Sequence, residues 1–317
     1  MDMPPEPPHE LPSPTNYTFP PAPGHKYKPS EPVHNLSSPP AALQPSQLDQ
    51  PPSLTKILLN SAPQSYHVAT QHPFLRLAGL GTLPKTTLSR WLSQDRLYAQ
   101  SYIGFIGALI ARVDLPYVNV TDKSSSLRWR IVKLLSSALE NIHRELQFFT
   151  DTAAKYDLQL DAPSRSDGVF TAEAATKQYL DLFRAFWTDP SMSLLEGLVV
   201  LWATETCYLS AWTYASSFMT APGAIKPEAD ADGGALRDAF IPNWTSPDFE
   251  KFVKDIAEVT DLLAEREDAI VRRLDVYKAV WMHILDVETR FWPNVEGREQ
   301  TAAEEPLCTG TLGRRPS

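Results

Sequence analysis

Three short motifs, Gln94-Asp95-x-x-Tyr98, Thr204-Glu205-x-Cys207-Tyr208 and Glu288-x-x-Phe291-Trp292, each set one carboxylate beside aromatic side chains in an apolar segment. Moving an ionised carboxylate from water into apolar surroundings costs several kcal/mol, which is comparable to the ~5–15 kcal/mol by which a domain is folded. Three such placements on separate segments read as the lining of one pocket. Asp95, Tyr98 and Tyr102 fall at i, i+3 and i+7 and share one helical face, which Trp91 and Phe105 extend. An acid in that setting sits exposed on a helix surface, pairs with a buried cation, or binds a polar ligand. No Lys or Arg lies four residues to either side of it. A carboxylate beside a phenol suits a nitrogen heterocycle, accepting its N–H groups while an aromatic ring stacks on it.

Leu201, Glu205, Tyr208 and Trp212 form a second stripe, while Val200, Cys207, Ala211 and Tyr214 occupy another face of the same segment. Both faces are apolar, the pattern of a central helix with Glu205 buried. A buried glutamate has its pKa raised and becomes a usable general acid or base near neutrality. The bland alternative is a glutamate paired with a base across the bundle. Cys207 is the rival nucleophile, since a thiolate attacks carbon readily. No histidine stands at helical spacing to activate it, and a free cysteine is more often an inert small hydrophobe. Trp281, Leu285, Glu288 and Trp292 align at i, i+4, i+7 and i+11. Two carboxyls meeting across a closed pocket repel, so one keeps a proton while the other ionises. That division suits hydrolysis: one group activates water and the other protonates a leaving amine.

The elements that must position these groups read as helices throughout. Glycine is scarce, no hairpin dipeptide separates alternating strands, and apolar residues recur at i, i+3, i+4 and i+7. Helices are expected near 65–79, 84–113, 123–156, 171–187, 190–219, 247–264 and 267–292. Asp189-Pro190 and Ser246-Pro247 each place an N-cap residue before a first-turn proline. Pro116, Pro222-Gly223 and Pro293 close helices. The expected class is all-α, a bundle of about seven helices.

Of the 29 prolines, 16 lie within residues 1–52, a stretch without hydrophobic period. It reads as a disordered, polyproline-like tail, either solvated or docking a proline-binding module. Residues 298–317 read as equally loose, which leaves 53–297 as one domain. A net charge of −9 argues against nucleic-acid or anionic-membrane partners. No apolar leader is visible, and Leu194–Phe218 is interrupted by Glu196 and Glu205, so it reads as a buried helix. Two cysteines, Cys207 and Cys308, exclude a disulfide framework and fit a reducing, cytoplasmic setting.

In combination these residues are similar to the TenA (thiaminase II) family, whose helical bundle is shared with haem oxygenase and PqqC. The resemblance runs from His72-Pro73-Phe74 through Gly81-Thr82-Leu83-Pro84 and Gln94-Asp95-x-x-Tyr98 to Glu288-x-x-Phe291-Trp292, over most of residues 65–295. It implies that Asp95 holds an aminopyrimidine, that Tyr98 and Tyr179 line the pocket, and that Glu288 is the catalytic acid/base. At the position of the family's nucleophilic cysteine stands Glu205, as in the subgroup that lacks it. Leu209 and Trp244 replace pocket tyrosines. A two-residue slip would restore Cys207 as nucleophile, but it would break the Leu201/Glu205/Trp212 stripe. Without the cysteine, water attacks directly and no covalent enzyme intermediate forms.

The implied activity is thiamin-salvage hydrolysis of an amino- or formylaminopyrimidine, with Glu205 and Glu288 catalytic and Asp95, Tyr98, Tyr179, Tyr208 and Trp244 binding substrate. No cofactor or metal is implied, and homo-oligomerisation is expected from the resemblance. Two other readings stay open: a binding or scaffold protein that has lost turnover, and a metal-dependent oxidase using Glu140-x-x-His143 with His283-x-x-Asp286.

Overall fold

The computed structural model describes residues 52–163 and 168–295. The proline-rich segment to residue 51, the segment from 296 and Cys308 lie outside the described residues. Those described form helices and no strands, as the periodicity predicts.

The helices are α1 (Leu54–Ser61), α2 (Pro63–Thr70), α3 (Pro73–Leu80), α4 (Lys85–Ala111), α5 (Leu127–Tyr156), α6 (Ala174–Thr188), α7 (Leu194–Ser216), α8 (Ile241–Trp244), α9 (Pro247–Arg266) and α10 (Ala269–Phe291). Three differences from the expected seven have local causes. α1 begins right after the proline-rich stretch; it has no cap of its own, and Asp261 of α9 accepts from its Thr55 N–H at 2.8 Å. The 65–79 helix breaks at His72-Pro73, because Pro73 cannot continue α2; the His72 side chain then caps α3 by accepting from Phe74 N at 3.1 Å. The segment Leu236–Phe240 is wound as a π-turn leading into α8.

One predicted cap is corrected. Asp189 ends α6 and turns its carboxylate onto Ser191, whereas α7 starts at Leu194 with a reciprocal box between Ser193 and Glu196. Glu196 also pairs with Arg273 of α10 at 3.0 Å, where Arg273 leaves helical geometry. Ser246 does cap α9, accepting from Phe249 N.

α7 runs through the middle, packed against α2, α3, α8, α9 and α10, while α4 packs against α5 and α6. By length and composition α7 is apolar enough to cross a membrane, but 72% of its most apolar stretch is buried against other helices. The core has two apolar parts. One gathers Phe105, Phe183, Leu198 and Trp281, and the other gathers Phe74, Trp91, Trp212, Phe240 and Trp292. Four long helices serve both. α4 passes from Trp91 to Phe105, α5 from Leu135 to Phe149, α7 from Ala203 to Trp212, and α10 from Leu285 to Phe291, which packs on both parts. Each carries a carboxylate at the changeover: Asp95, Glu145, Glu205 and Glu288 respectively.

The α3–α4 corner is held by a buried ion pair. Arg237 donates to both oxygens of Asp230 and to the Ile225 carbonyl, and both partners are nearly fully buried. The loop carrying Asp230 is also bonded to the corner, with Ala231 N–H donating to the Gly81 carbonyl at 2.9 Å. Gly81 has φ 78°, and a Cβ there would meet the Asp230 carboxylate and the Arg237 guanidinium. Gly81→Ala therefore combines left-handed strain with displacement of a buried pair. Its expected cost is at least ~2 kcal/mol, read as a lowered denaturation midpoint in urea. An unchanged midpoint would contradict this account of the corner.

Candidate active site

A cavity of about 390 Å³ opens where the two apolar parts meet. Ligand pockets for small organic molecules are usually about 300–1,000 Å³. α4 contributes Asp95, Tyr98 and Tyr102, α5 contributes Glu145 and Phe149, and α7 contributes Glu205 and Tyr208. Trp244 of α8 and Phe249 and Phe252 of α9 close the remaining side.

Asp95 is 3% exposed and accepts a hydrogen bond from the Tyr208 hydroxyl at 3.1 Å. Burial holds its carboxyl well above the usual range, the charge of Glu145 adds to this, and the Tyr208 bond opposes it. Glu205 is pushed up to about 7, first by burial and with a further push from the charge of Glu145, while the nearby Tyr102 hydroxyl opposes the rise. Burial also places the hydroxyls of Tyr98, Tyr102 and Tyr208 well above their ordinary range, so they remain donors.

Of the residues singled out in the sequence, Asp95, Tyr98, Glu205, Tyr208 and Trp244 line this one cavity. Glu288 and Tyr179 do not. They sit behind its wall, 5% and 1% exposed, with the Tyr179 hydroxyl donating to Glu288 Oε1 at 2.5 Å and the Tyr179 ring edge-on to Tyr98 at 5.0 Å. Burial pushes Glu288 up to about 7, against the Tyr179 bond, and the charge of Glu205 adds to the rise. Cys207 is buried in the apolar core and does not line the cavity; its thiol is pushed well above the ordinary range by burial. Trp292, the last residue of its motif, has a packing role: its indole N–H donates to the Ala69 carbonyl at 2.9 Å and its ring stacks on Trp91.

Glu145 was missed by sequence reasoning. It follows Ala138 and Ile142 and precedes Phe149 at i, i+4, i+7 and i+11, the same acid-in-a-stripe pattern as the other three. The nearby Glu140-x-x-His143 spacing drew attention instead; both of those residues are exposed, as are His283 and Asp286. Among the described residues no group of three or more His, Cys, Asp or Glu is placed to hold a metal ion. Glu145 accepts from Trp244 Nε1 at 2.5 Å and from Asn243 Nδ2 at 3.1 Å, which fixes the turn that closes the cavity.

The cavity thus joins carboxyl groups of α4, α5 and α7 to phenol and indole side chains on one wall, and Glu288 lies behind it, close enough for the charge of Glu205 to raise its carboxyl.

Known proteins resemble the chain at three levels. A protein of Fusarium pseudograminearum (strain CS3096) named "Probable transcription factor" is 33% identical over 69% of this chain, which spans about half of that protein, 47%. A Glycine max protein named "Probable bifunctional TENA-E protein" is 20% identical over 72% of this chain and 86% of its own length. The solved structure of a TenA homologue from Pyrococcus furiosus superposes with a TM-score of 0.58 at 19% identity, covering 75% of this chain and 98% of the other. The model of the TENA/THI-4/PQQC family matches residues 59–297, the whole bundle apart from the start of α1, and the chain therefore belongs to that family.

Proposed function

We propose that the chain is a C–N hydrolase of thiamin-derived pyrimidines, acting on an amino- or formylaminopyrimidine. The observation that carries this reading is the convergence of Asp95 and Glu205 on one aromatic-walled cavity, with Glu288 directly behind. Asp95, bonded to Tyr208, orients the ring through its nitrogen and exocyclic amine. Tyr98, Tyr208 and Trp244 supply the ring-stacking walls.

Glu205 faces the reacting carbon and takes a proton from water. The oxygen bonds to carbon as the C–N bond breaks, and the departing nitrogen takes up a proton. An aminomethyl substrate and water then yield an alcohol and ammonia; a formylamino substrate and water yield the amine and formate. Glu288 acts behind Glu205, exchanging the shared proton, and Tyr179 holds its carboxyl in place. The thiol of Cys207 takes no part, since it points away from the cavity and stays protonated. No cofactor enters this reading. A cytoplasmic setting, self-association and docking through the proline-rich segment belong to the same reading and rest on composition and resemblance.

The open cavity favours this over a scaffold whose pocket has closed, because Leu209 does not enter it and Trp244 lines it without filling it. The test is ammonia and formate release from 4-amino-5-aminomethyl-2-methylpyrimidine and its N-formyl derivative by the 317-residue chain. Glu205→Gln and Glu288→Gln are each expected to lower turnover by ~10²–10⁴-fold, while Cys207→Ser keeps it. Loss only in Cys207→Ser would overturn the glutamate mechanism, and no turnover by a folded wild type would overturn the assignment as a whole.

The reaction needs one carboxyl ionised to accept from water and one protonated. Burial pushes both up to about 7, so kcat/KM is expected to peak near pH 7. It falls at lower pH as the accepting group gains its proton, and at higher pH as the shared proton is lost. A profile flat between about pH 6 and 8 would contradict the pair.

A substrate-free test uses the same shift. A carboxyl whose pKa is raised on folding binds its proton more tightly folded than unfolded, so its contribution to stability is present below about pH 4.5 and is lost as pH rises through about 7. Glu288→Gln mimics the protonated form and still accepts from Tyr179. It is expected to raise the melting temperature near pH 8 by about 2–4 °C for each kcal/mol relieved, with no change near pH 4. Equal shifts at both pH values would show that ionisation is not the cause.

A further inference from the structure

Glu145 occupies the α5 side of the cavity, across from the α4 and α7 groups to which the proposed chemistry is assigned. Its two oxygens are used as acceptors, one by the Trp244 indole and one by the Asn243 amide. Two N–H donors stabilise the ionised form, and both oppose the rise that burial imposes on this carboxyl. Among the described residues none of Asp95, Glu145, Glu205 or Glu288 forms an ion pair. The single basic residue on the cavity wall, Arg144, turns its guanidinium to Asn141 on the same helix and is exposed. Trp244, Tyr208 and Phe249 stand around this end, with Tyr208 and Trp244 edge to face at 5.3 Å. Aromatic faces beside a carboxylate held by neutral donors attract an ammonium group, through the ring quadrupoles and the unpaired charge together.

We propose that Glu145 is a specificity-determining residue that selects a ligand bearing a positively charged aminomethyl group over its neutral formamide counterpart. This rests on the proposed pyrimidine site and decides between the two substrates left open there. A formamide brings no charge to offset Glu145 and adds a carbonyl oxygen, an acceptor that the Glu145 carboxylate repels. An ammonium group supplies three donors and the missing charge. The indole and amide of the Asn243–Trp244 turn take one bond to each Glu145 oxygen, and each oxygen keeps a second lone pair, so one carboxylate both fixes the aromatic wall and meets the ligand's charge.

The experiment compares binding by calorimetry at about pH 7 and low salt, using the full chain and two ligand pairs. One pair is 4-amino-5-aminomethyl-2-methylpyrimidine and its N-formyl derivative; the other is benzylamine and N-benzylformamide, which carry the same charge difference without the pyrimidine. Wild type is expected to bind the ammonium member at least ~10-fold more tightly, about 1.4 kcal/mol. Glu145→Gln is expected to reduce that ratio to near one while leaving formamide affinity unchanged. Its amide oxygen still accepts from Trp244, and its NH2 reaches Asn243 once that amide rotates, so near-UV circular dichroism of the indoles should match wild type.

Equal binding of the two members by wild type would overturn the proposal, whether or not the variant folds, and so would a preference that survives Glu145→Gln. Both pyrimidines binding equally well would sink the Glu145 assignment and leave the pyrimidine reading standing. A Glu145-dependent preference for benzylamine, with neither pyrimidine bound, would support the charge selection and sink the pyrimidine reading.

Discussion

Four carboxyl groups turned into a helical bundle, Asp95 and Glu288 buried and Glu145 and Glu205 half-buried, with no cation paired to any of them among the described residues, set the terms for this structure. Each group would cost several kcal/mol as an isolated buried charge. The bundle answers in three ways. Phenols donate to Asp95 and Glu288, indole and amide N–H groups donate to Glu145, and burial, with a smaller push from neighbouring carboxylates, raises the carboxyls of Glu205 and Glu288 to about 7. A site whose charges are met by neutral donors and no cation lowers stability, and folds retain such costs chiefly where ligands bind.

The location of the cavity follows from the division of the core. An aromatic cluster around Trp91, Trp212 and Trp292 and an aliphatic-aromatic cluster around Phe105, Phe183 and Trp281 are each close-packed, and the long helices serve both. Where a helix passes from one to the other, its inward position belongs to neither packing scheme. Those positions are filled by Asp95, Glu145, Glu205 and Glu288. Rigid packing on both sides is what holds their side chains within a small volume, as a preorganised site requires.

The helical class, the long helices α4, α5, α6, α7, α9 and α10, and the carboxylates Asp95, Glu205 and Glu288 were legible because they follow from spacing. A stripe of period 3.6 names the buried face, and an acid on that face stands out. Boundaries were less legible. Asp189-Pro190 resembles a cap, yet Ser193 with Glu196 three residues later satisfies two backbone N–H groups where Asp189 has no helix to begin. Helix α1 was hidden because its N-terminal amides are satisfied by Asp261, some two hundred residues away in sequence.

The sequence by itself determined which residues are buried together on each helix, because burial is written in a one-dimensional period. It also carried the family, through motifs whose order is preserved along the chain. Only the tertiary structure decided which buried groups face an open space and which face packed atoms. Glu205 and Cys207 are two residues apart on one helix, and a turn of about 200° separates a cavity wall from a closed core. Glu288 carries the same sequence signal as Glu205, yet it lies behind the wall. Glu145, on an otherwise ordinary amphipathic helix, became part of the site because α8 brings Trp244 and Asn243 against it. Those outcomes depend on how helices distant in sequence are set against one another, and no local period encodes that.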